Sequence, residues 1–287
     1  MTAVLRHELK NYFHSLTAYL FIAFLLVFVG VGAMLYNIQS AVANFEYVLE
    51  FVCIGMVVIV PVLTMKSLSE EKKQKTDQLL YSLPLKATDV ILGKYFSMLI
   101  VFLIPMAIVA FYPLVFAQYG DVYLLTSYGS MLAFFVMGAA LIAIGMFISS
   151  LTENLGFAVG IAIPVLLLNY YSVSLAEYVS STARGSLIAL YVIIIALAVI
   201  VDKLTKNDTL GYGTAVVGIA AVSVWYFVDN TAFEGLLPAI MEKLSLFDRF
   251  YDFVDGVFDI TSIIFYLTVI VFFLFLSVQS LEKRRYN

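Results

Sequence analysis

Glu70 and Glu71 are adjacent carboxylates in a lysine-rich stretch, SEEKKQKTDQLLYSLP, residues 69–84. Paired acids can exchange a proton when burial or repulsion separates their pKa values, and paired glutamates serve some intramembrane proteases. Here the pair stands in a polar segment between apolar runs, which argues against that use. A second acidic set, Asp248, Asp252, Asp255 and Asp259, follows i, i+4, i+7, i+11 spacing. One continuous helix would put all four on one face, either a solvated face or a weak candidate cation face. Gly93–Lys94 is the pair a phosphate-binding loop ends on, but Thr88 stands where its first glycine is needed. ATP binding by that route is therefore excluded. No HExxH motif occurs, and Cys53 is the sole cysteine, so neither a zinc site of that type nor an internal disulfide is expected.

The elements that carry these residues follow from composition. The chain has 287 residues, 63% hydrophobic and 13% charged. A soluble domain is about 45–50% apolar and about 25% charged. An all-α polytopic membrane protein is expected. Barrel strands would alternate, and these runs are continuous. Apolar runs near 20 residues give eight candidate spans: 16–37, 48–65, 92–117, 128–150, 155–176, 186–201, 211–228 and 262–280. The first follows a basic stretch without a small-residue cleavage site, so it is expected to be retained.

Lysine and arginine set the orientation. With both termini cytoplasmic, thirteen of the sixteen basic residues lie inside. Arg184, Lys243 and Arg249 are the three outside. Residues 66–91 are then a cytoplasmic segment, and residues 229–261 an extracytoplasmic amphipathic one. Residues 1–15 place Leu5, Leu9, Tyr12 and Phe13 on one face, as expected for an interfacial helix.

Within 66–91, Ser67 and Glu70 match a capping box, Glu71 and Lys75 are four apart in the favourable order, and Pro84 ends the helix. Leu79, Leu80 and Leu83 form an apolar end able to dock on a protein. The bland alternative is a solvated loop. In the spans, Pro61 and Pro164 imply kinks. Gly156 and Gly160 form a GxxxG, and Asn169 is an amide that needs a partner. Helix contact or a translocation path are the two readings for these residues. The span centres lack charge, which argues against ion- or voltage-driven machinery. No feature points to nucleic acid.

Four patches together resemble type-2 ABC exporter permeases, in the GldF-like gliding-motility branch. They are HELKNYFHSLTAYLF (7–21), EEKKQKTDQLLYSLPLKATDVILGKY (70–95), GMFISSLTENLGFAVG (145–160) and residues 244–286. The resemblance covers about a third of the chain in the family's order. It implies a six-span core, so residues 177–230 would add two spans to make eight. It also implies a permease subunit without ATPase activity. ATP and Mg would be bound by a cytoplasmic ABC ATP-binding subunit. The second membrane subunit would be another copy, or a different chain with a large outer domain. Residues 67–83 would be the coupling helix. Glu70, Glu71, Thr76, Leu79, Leu80 and Leu83 would meet the ATP-binding partner, flanked by the turn 150–154 and the N-terminal helix. Pro61, Gly156, Gly160, Pro164 and Asn169 would lie nearest the path. A secondary transporter or channel uncoupled from ATP is the alternative.

Overall fold

A computed structural model describes residues 1–74, 86–179, 181–205 and 208–286. The described residues fold into helices joined by turns and short loops, without a strand. The helices are α1 Thr2–His14, α2 Leu16–Ala33 (extended by a π-turn, Met34–Gln39), α3 Glu46–Gln74, α4 Ala87–Val109, α5 Tyr112–Phe116, α6 Leu124–Leu151 and α7 Leu155–Tyr170. There follow α8 Ser172–Tyr178, α9 Ala183–Thr205, α10 Asp208–Val228, α11 Leu236–Leu244, α12 Asp248–Val254 and α13 Ile260–Tyr286. They form two compact units: residues 1–170 with 246–287, and residues 171–245.

Among the described residues, five helices are long and apolar enough to cross a membrane: Leu16–Gln39, Glu46–Gln74, Ala87–Phe116, Leu124–Leu151 and Ile260–Lys283. A sixth is reached if α7 and α8, interrupted at Tyr171, form one span. By helix length and composition this is a polytopic helical membrane protein.

In the first unit α3 and α6 are the central pair. They bury 67% and 78% of their most apolar windows, against a third or less for α2, α4 and α13. Glycines set how closely these helices meet. A methyl group on Gly145 of α6 would stand 2.4 Å from Thr64 Oγ1 of α3, and one on Gly138 would stand 2.4 Å from Phe102 Cε1 of α4. Helices without a hydrophobic drive between them associate through such close packing.

Local chemistry sets the boundaries. Ser15 leaves helical geometry, at φ −97° and ψ 158°, so α1 ends there. Its Oγ accepts from Thr17 N–H, which starts α2. Asp259 accepts from the N–H groups of Thr261 and Ser262 and so caps α13.

In the second unit α9 and α10 form an antiparallel pair. Gly218 abuts Ile194, and the hydroxyls of Tyr191 and Ser223 lie 2.7 Å apart. Phe233 is buried edge-on against Trp225 and Tyr226.

Three local expectations are corrected. Ser67 does not start a helix: α3 runs unbroken from Glu46 to Gln74. No glycine or proline interrupts residues 62–74, so the backbone ladder continues. Ser67 faces the packed interior, its Oγ without a hydrogen-bond partner among the described residues. The run 155–176 breaks at Tyr171 instead of continuing. The segment 229–261 is a 3₁₀ turn and two short helices, not one long amphipathic helix. The runs 186–201 and 211–228 do lie in helices. Their described apolar parts, Ala183–Ile195 and Tyr212–Val228, are shorter than a span.

Candidate functional site

The richest polar constellation lies at the base of the first unit, where α1, the end of α3, the start of α4 and the ends of α6 and α13 meet. Lys94 is its centre. It sits two turns into α4, within ILGKYFSML, and its side chain is 2% exposed. Its Nζ donates to Glu8 Oε1 at 2.8 Å and to Glu71 Oε1 at 2.6 Å. Three elements therefore contribute one residue each. A buried ammonium is tolerated only when paired and hydrogen-bonded, and here both conditions are met.

α1 reaches Lys94 because it lies directly on α4. A methyl group on Gly93 would stand 2.9 Å from Val4 Cβ. Tyr12 is buried on the same face of α1 as Glu8 and donates to Leu63 O at 3.4 Å. Burial pushes the Tyr12 hydroxyl's pKa up, and the nearby Glu8, Glu71 and Glu70 carboxylates push it further. The N-terminus adds an exposed contact to Asp89 at 3.7 Å, which contributes little. The face of α1 turned to the protein is thus Val4, Glu8 and Tyr12. Leu9 and Phe13 beside it are only partly buried.

α6 grips the same end of α3. Ser149 Oγ donates to Met65 O at 3.0 Å and accepts from the N–H groups of Leu68 and Ser69 at 3.3 and 3.2 Å. The buried Lys72 ammonium donates to Ser150 O. Ser280 Oγ of α13 donates to the same carbonyl at 3.1 Å. The turn that follows is held by Asn154, whose Oδ1 accepts from Gly156 N–H at 2.9 Å.

The residues singled out from sequence fall as follows. Glu71 binds Lys94. Glu70 is half-buried and accepts from Gln74 Nε2 at 3.3 Å. Thr76, Leu79, Leu80 and Leu83, with Lys75 and Pro84, lie outside the described residues. Pro61 is buried within α3. Gly156, Gly160 and Pro164 lie on the exposed side of α7, and nothing stands within 4 Å of a methyl group placed on Gly160. Pro61 and these three therefore do not face one another. Asn169 has a fastening role: its Oδ1 accepts from Leu246 N–H at 3.0 Å, while Tyr266 Oη donates to Leu246 O at 2.8 Å.

The four aspartates do not share a helix face. α12 ends at Val254, and Gly256 turns the chain at φ +84°. Asp248 and Asp252 stay on α12, Asp255 follows its end, and Asp259 caps α13. Among the described residues no group of three or more His, Cys, Asp or Glu side chains is placed to hold a metal ion.

The triad on Lys94 and the Ser149 clasp were not read from the sequence. Lys94 carried a signal: an ionisable residue inside an apolar helix must find a partner. Its partners lie 86 and 23 residues away, and one sequence does not reveal such a pairing.

No protein-family model matches the chain, and no curated protein matches it in sequence.

Proposed function

We propose that the chain is the membrane subunit of an ATP-driven transporter of the exporter type. It would cross the cell membrane eight times, with both termini in the cytoplasm. Separate subunits would bind ATP and Mg and hydrolyse the nucleotide. A second permease copy, or a different membrane chain, would complete the path. One observation supports this reading most. α3 is a single helix of 29 residues, and beyond Pro61 it reaches the edge of residues 75–85 without another proline or a glycine. Displacement of that segment by a docked protein would pass along α3 as along a rod. The Ser149 clasp and Lys94 would share it with α6 and α4. The four sequence patches point to the same class.

Leu79→Asp with Leu80→Asp tests the reading. Loss of a co-purifying ATP-binding protein, with unchanged helix content, is expected. Retention of that partner would refute docking through this segment.

A second reading, an ion-coupled transporter or channel, draws on Glu46. This carboxyl is 1% exposed. Its Oε1 accepts from Ser127 Oγ at 2.9 Å, and its Oε2 has no hydrogen-bond partner among the described residues. A buried acid in a membrane protein is a natural ion-pathway candidate. Gradient-driven uptake by ATP-free vesicles, abolished by Glu46→Gln, would favour this reading over the first.

A further inference from the structure

α1 has one acidic residue, Glu8, beside Arg6 and Lys10. The fold separates the two signs of charge. Glu8 turns inward: its side chain is 11% exposed, and its Oε1 accepts from Lys94 Nζ. Arg6 and Lys10 are exposed, with His7, Asn11 and His14 around them. Neither Arg6 nor Lys10 has an ion-pair partner among the described residues. The outward face of α1 is therefore basic, in a chain whose net charge is −4. Arg6 and Lys10 stand one turn apart, where like charges repel. An anion between them relieves that repulsion.

The same helix has an apolar edge. With about 3.6 residues per turn, Leu5, Leu9 and Phe13 form a stripe between the inward face and Arg6. All three are half-buried. Phe13 packs edge-on against Tyr19 of α2 at 5.9 Å, and Leu16, Tyr19 and Leu20 are exposed at the start of α2. The stripe thus runs on into the surface that a spanning helix turns to lipid. A helix with this order of faces lies at headgroup level, its apolar edge against acyl chains and its cations among phosphates.

We infer that the outward face of α1 binds anionic phospholipid, with Arg6 and Lys10 holding the headgroup phosphate. Arginine offers a phosphate paired donors, and lysine a point charge. Lys94 takes part indirectly. By holding Glu8 inward it keeps the only carboxylate of α1 out of the headgroup layer. A soluble acidic protein would match the charge but not the apolar edge. The inference needs only that the chain lies in a membrane, and it rests on neither reading of its transport.

The test uses the purified full chain reconstituted in bilayers of phosphatidylcholine and phosphatidylglycerol. A fluorophore on Ala3→Cys, an exposed position of α1, reports the lipid beside the helix. The native Cys53 is buried and stays unlabelled. Phosphatidylglycerol with a nitroxide high on its acyl chain should quench the fluorophore more than phosphatidylcholine labelled in the same way. Arg6→Gln and Lys10→Gln should each lower that preference by about fivefold, and added salt should weaken it. Lys73→Gln removes an exposed cation from the end of α3 instead and should leave the preference unchanged. All three side chains are exposed, so thermal midpoints should not move.

Equal quenching by the two lipids would overturn the inference. An equal loss of preference with Lys73→Gln and Lys10→Gln would overturn it too, since the charge of α1 would then have no particular place. Failure to find an ATP-binding partner would count against the proposed function alone, because none of these readouts involves one.

Discussion

Glu71 Oε1 and Lys94 Nζ lie 2.6 Å apart, although the residues are 23 positions apart in the chain. Between them runs the most polar segment of a very apolar protein. The contact joins the end of one long helix to the beginning of the next. The contact therefore ties α3 directly to α4.

Ser149 makes the complementary attachment, from α6 to the backbone of α3. Ser149→Ala removes one donor and one shared acceptor from a buried contact. Polar contacts of this kind in membrane bundles are worth about 1 kcal/mol each. A loss of about that size is expected in the unfolding free energy of the purified chain. The effect should be confined to stability, with the helix content of the folded state unchanged.

Two glycines should respond in opposite ways. Gly145→Ala places a methyl group against Thr64 at the α3–α6 contact. Overpacking of this kind costs about 1–3 kcal/mol. Gly160→Ala meets open space inside α7 and should raise the stability of the isolated chain by up to about 1 kcal/mol. Thermal midpoints of the two variants, measured side by side, check the contrast.

The acidic segment predicts two pH dependences of opposite sign. Burial, then the Asp248, Asp259 and Asp255 carboxylates, raise the Asp252 pKa above its ordinary 3.8. The folded state then holds that proton more tightly than the unfolded chain, so the ionised carboxyl costs stability above the folded value. Asp252→Asn should stabilise at neutral pH, and the gain should vanish below pH 3.8. For Asp259, the Ser262 hydroxyl first and then Thr261 N–H hold the pKa below 3.8. Its contribution is present above 3.8 and is lost as pH falls through the depressed value. Asp259→Ala should destabilise at neutral pH and converge with the parent protein in acid. Unfolding midpoints from neutral pH to below 3.8 separate the two.

The helices were legible because a span needs a long apolar run, and residues 16–37, 92–117, 128–150 and 262–280 supply one without ambiguity. Ser15 and Asp259 show why some ends are also legible: the capping groups are local. Ser67 shows the limit. Its S-x-x-E pattern is that of a cap, but burial against the bundle and an uninterrupted backbone override it. Asp248 to Asp259 fail for a related reason. The regular spacing assumes a helix that Gly256, in a left-handed conformation, does not allow to continue. The Lys94 triad was not legible because its partners come from α1 and α3, and only the packing of those helices brings them together. The local Glu71–Lys75 spacing involves Lys75, which lies outside the described residues; the contact of Glu71 with Lys94 is a property of the folded bundle.

In the proposed function, energy enters this membrane protein from a separate ATP-binding chain. The most direct measurement is to isolate the intact protein from its native membrane in mild detergent, identify what accompanies it, and assay ATP hydrolysis before and after the components are separated. The expected result is a stoichiometric ATP-binding protein, hydrolysis that remains with that protein, and none in this chain alone. A chain that purifies without such a partner and drives uptake in ATP-free vesicles from an ion gradient would contradict it.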